Sequence, residues 1–214
     1  MKVSKGEIFE RLFVNEPELN LHIEQEAGSQ VKLYVINFEI SGYRNTEISN
    51  KISVEQLGEG CTTEIYALAY LHGEESVTAE THVKHAAGGG KSEQLIKFVL
   101  DNNARGRFIG DLKIAPDAQQ TEAHQTNRNL LLSEAAEMRT QPQLEIYADD
   151  VQATHGASTG QLDESALFYM QQRGIDKQKA RQLLVNAFMK EVVETISDEK
   201  IKSDVLSLFE EEAF

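Results

Sequence analysis

The run Val77-Thr78-Ala79-Glu80-Thr81-His82-Val83-Lys84-His85, followed by the corner Gly88-Gly89-Gly90 and then by Gln94 to Leu100, decides how the chain folds. Apolar and polar side chains alternate with period 2, the mark of a strand with one buried face. The same alternation continues in Gly106 to Ile114. Upstream it appears in Val31-Lys32-Leu33-Tyr34-Val35, in Ile48 to Leu57 with one break, and in Thr63 to Leu71. Turn clusters separate these runs: Gly28-Ser29, Gly42, Gly58-Glu59-Gly60, Gly73, Asp101-Asn102-Asn103 and Pro116-Asp117. From residue 59 onward they centre near 59, 73, 89, 102 and 117, at steps of 14, 16, 13 and 15 residues.

Short strands returning at a near-constant advance suit a solenoid or an antiparallel sandwich. Sandwich strands return every 8–12 residues or so. The longer step leaves room for a strand, a corner and a second short strand in each coil. The expectation is a parallel β-helix, whose stacked coils leave strand edges open only at the two ends. An antiparallel barrel or sandwich is the competing architecture. Residues 1–20, with Ile8, Phe9, Leu12 and Phe13, read either as a short cap or as another coil.

After residue 160 the period changes. Asp163-Glu164-Ser165 gives an acidic first turn to a helix that stops at Gly174, the left-handed residue past a helix end. Asp176 then caps a second helix carrying Ala180, Leu183, Leu184, Ala187, Phe188, Val192 and Ile196 at spacings of three and four. Ser197-Asp198 opens a third segment with Ile201, Val205, Leu208 and Phe209. The organisation expected is a β-helix core over residues 1–160 and a C-terminal helical domain over 161–214.

Composition narrows the function classes. The 214 residues carry 21 basic and 35 acidic side chains, a net charge of −14. Phosphate backbones and anionic membranes bind basic faces, so neither nucleic acid nor a membrane surface is an expected partner. The lone Cys61 can form no internal disulfide. The apolar runs are far shorter than the roughly 20 residues of a membrane span, and residues 1–20 contain no secretory apolar core. A cytoplasmic protein is expected.

Local motifs carry little chemistry by themselves. Gly88-Gly89-Gly90-Lys91-Ser92 imitates the end of a phosphate loop, but His85 stands where its leading glycine is required. A corner between strands fits better. His82 and His85, three apart on a strand, diverge and cannot share a metal. His22, His72 and His124 are isolated, Cys61 reads as a small buried hydrophobe, and Asp149-Asp150 as a turn. His155 lies where the strand pattern gives way to the helical one. It is a turn residue or an accessible ligand.

Several stretches go further together. Gln125-Thr126-Asn127-Arg128-Asn129-Leu130-Leu131-Leu132-Ser133, Pro142 through Val151, His155-Gly156-Ala157, Leu162-Asp163-Glu164 and Leu167 through Ile175 resemble the SufB/SufD family of iron–sulfur cluster assembly proteins. Thr81 to His85, Ser92 to Leu95 and Ala104 to Gly110 agree. The match runs from about residue 30 onward. It is closer to SufD than to SufB, which tends to place Cys-Glu-His-Glu-Ala near the position of His155.

The resemblance implies a right-handed β-helix followed by helices, and a chain shorter than its relatives at the N-terminal side. It implies a noncatalytic scaffold that pairs with a SufB-like subunit, or with a second copy, through its last strands. Leu144, Ile146, Ala148 and Val151 would mark that edge. A SufC-like ATPase would dock on the helical part, with Phe168, Tyr169, Arg173, Gly174 and Ile175 as candidates. By motif position His155 would supply one ligand to transient iron or a nascent iron–sulfur cluster at the subunit interface. A cysteine common two residues earlier is replaced by Ala153, so no cofactor is expected on this chain alone. The competing readings are a β-helix carbohydrate-active enzyme, which needs paired carboxylates in a groove, and a purely structural oligomerisation module.

Overall fold

A computed structural model describes residues 1–38, 47–200, 202–203 and 205–206. The alternating runs form β1 (Lys2–Val3), β2 (Ile8–Val14), β3 (Glu18–Gln25), β4 (Gln30–Phe38), β5 (Glu47–Gln56), β6 (Thr62–Leu71), β7 (Ser76–His85), β8 (Lys91–Leu100), β9 (Arg105–Ile114), β10 (Thr121–Leu131), β11 (Glu137–Ile146) and β12 (Val151–Gly160). Odd-numbered strands make one sheet in the order β1-β3-β5-β7-β9-β11. Even-numbered strands make the other, from β12 back to β2. Every pairing is parallel, for example β7 with β9 and β8 with β10. The fold is a β-solenoid of two sheets, not an antiparallel barrel or sandwich. Residues 1–25 are not a cap; they form the first coil.

The coil is twice as long as the turn spacing suggested. Thr62 aligns with Lys91, and Lys91 with Glu122, advances of 29 and 31 residues. Each corner sends the chain into the opposite sheet, so two steps are needed to return to the same one. The corners stack as tightly as the strands. Gly28 N–H donates to the Glu59 carbonyl at 2.8 Å, Gly60 to Gly88 at 3.0 Å and Gly89 to Gln119 at 2.8 Å. Gly28, Gly60 and Gly89 all have φ near +68°, where residues with a Cβ are strained. A Cβ on Gly88 would lie 2.9 Å from the Gln119 carbonyl oxygen. The glycine run before Lys91 is therefore a corner.

Between the sheets lies an aliphatic core including Ile23, Leu33, Val54, Ile65, Val83, Phe98, Phe108 and Leu112. The break in the Ile48 to Leu57 run is Asn50, which is buried facing inward beside Asn37 and Thr81 at an internal cavity, whereas Leu57 is exposed. In β7 burial alternates strictly, but β8 is buried on both faces from Gln94 onward. Such continuous burial requires a second layer outside the sheet.

The helices supply that layer. α1 (Glu164–Gln172) is capped by Asp163, which accepts from Ser165 N–H at 2.8 Å. α2 (Lys177–Val193) is capped by Asp176, which accepts from Lys179 N–H at 2.9 Å. Gly174 between them has φ +83°. Val185, Met189, Val192 and Val193 of α2, with Ile196 and Val205, pack on Tyr34, Ile36, Tyr66, Leu68, Leu95, Val99 and Leu130 of the even sheet. Each large side chain so buried contributes about 1.5–3 kcal/mol. The helical stripe expected from spacing is rotated: Leu183 and Ala187 are exposed, and Val185, Met189 and Val193 take the buried face. Asp198 caps a further turn by accepting from Lys200 N–H at 2.8 Å. Ile201, Leu208 and Phe209 lie outside the described residues.

Polar ties fix the register of this layer. Lys97 of β8, 2% exposed, donates to the Phe188 carbonyl at 2.7 Å, pairs with Glu191, and sits 4.3 Å above the Phe188 ring. Arg128 of β10 reaches both Glu191 oxygens at 3.0 and 3.1 Å. Tyr34 donates to the Thr195 carbonyl at 2.7 Å.

Candidate functional site

The C-terminal end of the solenoid is a free rung. Among the described residues β11 pairs only with β9, and β12 only with β10. Each therefore carries one row of backbone groups with no strand beside it, the usual template for strand addition. The last strand is unlike its predecessors in composition. Val151 and Ala153 pack inward against the core, and alternation puts His155, Ala157 and Thr159 on that same face.

His155 tops a register column that changes character along the solenoid. From β4 onward its successive members are Leu33, Ile65, Gln94, Gln125 and His155, with Arg11 of β2 below them at the opposite end. From Leu33 onward the column runs from aliphatic to amide to imidazole as it approaches the free end. Gln125 is buried and its Oε1 has no partner, while its Nε2 is 3.5 Å from Gln94 Oε1. Gly110 on the facing sheet makes room for it, since a Cβ there would lie 2.6 Å from the amide. Beside it, Asn127 and Asn129 exchange amide hydrogen bonds at 3.0 and 2.8 Å, and Asn129 donates to the Ser158 carbonyl at 3.1 Å. This polar interior escaped the sequence reading. The signal was present as Gln125-Thr126-Asn127-Arg128-Asn129, where amides occupy the inward positions of an otherwise strand-like run.

His155 is exposed and stands on a strand, not in a turn. It stands by itself: no group of three or more His, Cys, Asp or Glu side chains arranged to hold a metal occurs among the described residues. Ala153, two positions earlier on the same face, contributes only a methyl group. Of the residues expected along the edge, Leu144 and Val151 are half-buried against the core and Ile146 is 42% exposed. Ala148 is buried, so its methyl belongs to the interior and offers a partner no surface.

The other candidates fall elsewhere. Phe168 and Tyr169 are 63% and 59% exposed on α1, whose Leu167 is buried. Arg173 donates to Tyr169 Oη at 2.8 Å and its guanidinium carbon stands 5.1 Å from the ring centroid. Gly174 is exposed and Ile175 half-buried. His82 faces Asp111 at 3.6 Å on the outside, whereas His85 is buried with Nε2 2.9 Å from Ser92 Oγ. Burial pushes His85 down to about 4, so it is neutral at physiological pH. Cys61 is buried, its thiol against the Glu26 and Gly58 carbonyls at 3.1 and 3.2 Å. Asp150 sits in the corner before β12, with its backbone N–H bonded to Gln119 Oε1 at 2.9 Å. No helix is long and apolar enough to cross a membrane among the described residues.

A parallel two-sheet solenoid backed by helices, with a polar, histidine-bearing free rung at its end, defines the class structurally. Comparison with known proteins gives the family. Residues 18–188 match the model of the SUF system FeS cluster assembly SufBD core domain, and the chain belongs to that family. It is 38% identical over 160 residues to the iron–sulfur cluster assembly protein SufD of Escherichia coli, covering 75% of this chain and 38% of that protein. It is 32% identical over 203 residues to an iron–sulfur cluster assembly SufBD family protein of Synechocystis, covering 88% and 44%. With SufD of Bacillus subtilis the identity is 32% over 153 residues, covering 72% and 35%. The chain thus spans well under half the length of these relatives. Within the family it is SufD-like.

Proposed function

We propose that this chain works as a noncatalytic scaffold in iron–sulfur cluster assembly, with its free rung as the working surface. The observation that carries the reading is the pair of unaccompanied strands β11 and β12 at one end, with His155 exposed on β12. A SufB-like subunit, or a second copy, adds to this border by backbone hydrogen bonding, a form of strand augmentation. Nascent cluster or iron is cargo at that junction. His155 supplies one imidazole ligand, and the partner supplies the rest, because one imidazole cannot hold a cluster.

The exposed Phe168-Tyr169 pair, stiffened by Arg173, is the docking surface for a SufC-like ATPase. Aromatic and arginine side chains of this kind serve as anchors at interfaces. The setting is the cytoplasm or an equivalent reducing compartment, in keeping with the single buried thiol. Two experiments test the reading. His155→Ala should leave complex formation intact and slow cluster formation; normal cluster formation by this variant removes the ligand role. Co-purification with a SufC-type ATPase, weakened by Phe168→Ala and Tyr169→Ala, supports docking. A chain that pairs with its partner yet never retains the ATPase is only an oligomerisation module.

A further inference from the structure

The outer face of the odd-numbered sheet holds a basic pocket in an otherwise acidic protein. Ser76 of β7, Arg105 of β9 and Glu137 of β11 lie in one register row, and Thr78, Arg107 and Arg139 in the next but one. Together with the backbone at Val77 and Gly106 they line an open, polar concavity of about 470 Å³ on the sheet face. Adjacent strands are about 4.8 Å apart, so Arg107 and Arg139 are side-by-side like charges. That arrangement weakens a sheet unless something lies between them.

Elsewhere on this face cations are matched. Lys2 pairs with Glu26 at 2.6 Å, Lys51 with Glu80 at 3.6 Å, Lys84 with Glu55 at 3.1 Å and Lys113 with Glu145 at 3.0 Å. Arg105 and Arg107 have no carboxylate within 4 Å among the described residues, and Arg139 has only Glu137, at 3.8 Å. Three guanidinium groups and one carboxylate make the side chains that line the concavity sum to +2, on a chain whose net charge is −14.

We propose that the Arg105–Arg107–Arg139 pocket binds a small phosphate-bearing anion. A dianionic phosphate or diphosphate matches the net charge, and the planar guanidinium forks suit two-oxygen contacts to phosphate. The hydroxyl of Thr78 borders the same concavity as an additional donor. The site lies on the outer face of β7, β9 and β11, apart from the inward column that ends at His155, and does not depend on the scaffold role.

The test is calorimetric titration of the full chain, at low ionic strength, with inorganic phosphate, pyrophosphate and ADP, and with sulfate as a control. Saturable binding of pyrophosphate or ADP is expected, at least tenfold tighter than sulfate. The double variant Arg107→Gln/Arg139→Gln should weaken it at least tenfold and Arg105→Gln by less, with the melting temperature of the unliganded chain not lowered. Lys84→Gln, a matched cation on the same face, should leave binding unaltered. Tighter binding of ADP than of pyrophosphate identifies an organic phosphate ester as the ligand; equal binding identifies the diphosphate group itself. Absence of saturable binding, or binding that follows anion charge alone and persists in the double variant, overturns the proposal.

Discussion

His85 and Lys97 are both buried ionisable side chains, and they are handled differently. His85 stays neutral: burial holds it down to about 4, against an ordinary value near 6.5. Above pH 6.5 neither folded nor unfolded chain protonates it. Between 6.5 and about 4 the unfolded chain takes up a proton that the folded one refuses, so stability falls as pH falls through that window. The loss from this residue amounts to about 3 kcal/mol. Urea unfolding at pH 7 and pH 4.5 should show a smaller difference for His85→Gln than for the parent chain. Burial lowers the affinity of Lys97 for a proton, and the hydrogen bond and charge of Glu191 oppose that shift. Burial alone would raise the Glu191 carboxyl, but Lys97 and Arg128 together hold it below the usual range. Removing one partner of such a pair is worse than replacing the buried charge by an apolar group. Glu191→Gln should therefore destabilise by about 2–4 kcal/mol in equilibrium unfolding, and Lys97→Met by about 1 kcal/mol or less.

At the level of single elements, α2 and β12 show how far periodicity carries. The spacing of Ala180, Phe188, Val192 and Ile196 placed a helix correctly, yet the face it buries is set by the ridge of Tyr34, Tyr66, Leu95 and Leu130 beneath it. That ridge is encoded on strands far upstream in the sequence, beyond what helical spacing can register. Met189 is fully buried and Leu183 is 40% exposed. Met189→Ala should cost about 2–5 kcal/mol, whereas Leu183→Ala should stay within about 0.5 kcal/mol. Chemical denaturation of the two variants separates the faces. For β12, the alternation of Val151, Ala153 and His155 on one face makes position 153 the natural place for a second ligand. Ala153→Cys should put a thiolate beside the imidazole and raise iron or cluster retention in anaerobic reconstitution, read by visible absorption. Retention equal to the parent chain would show that the two positions do not converge.

Across the molecule, the even spacing of Gly60, Gly73, Gly89, Asn102 and Asp117 revealed a solenoid because each corner needs a turn of nearly the same shape. It did not reveal the number of sheets. A corner looks the same in sequence whether the chain continues in one sheet or crosses to another, and only register pairs such as Thr62 with Lys91 distinguish them. The residues alone left His155 as either a turn residue or an accessible ligand, and only the resemblance favoured the second reading. The inward amides Gln125, Asn127 and Asn129 were legible as letters but not as an interior, because polar residues on an alternating run are ordinarily assigned to solvent. The Arg105–Arg107–Arg139 pocket depends on strands about 30 residues apart standing side by side, which the coil length decides.

The scaffold account requires a particular end of the solenoid to be the border that partners cover. Hydrogen exchange of the chain, alone and after mixing with a SufB-like subunit, measures this directly. Backbone amides of β11 (Glu137–Ile146) and β12 (Val151–Gly160) should slow on association, while β2 (Ile8–Val14) at the opposite end exchanges as before. A stable complex that leaves β11 and β12 exchanging at their free rates would contradict the account.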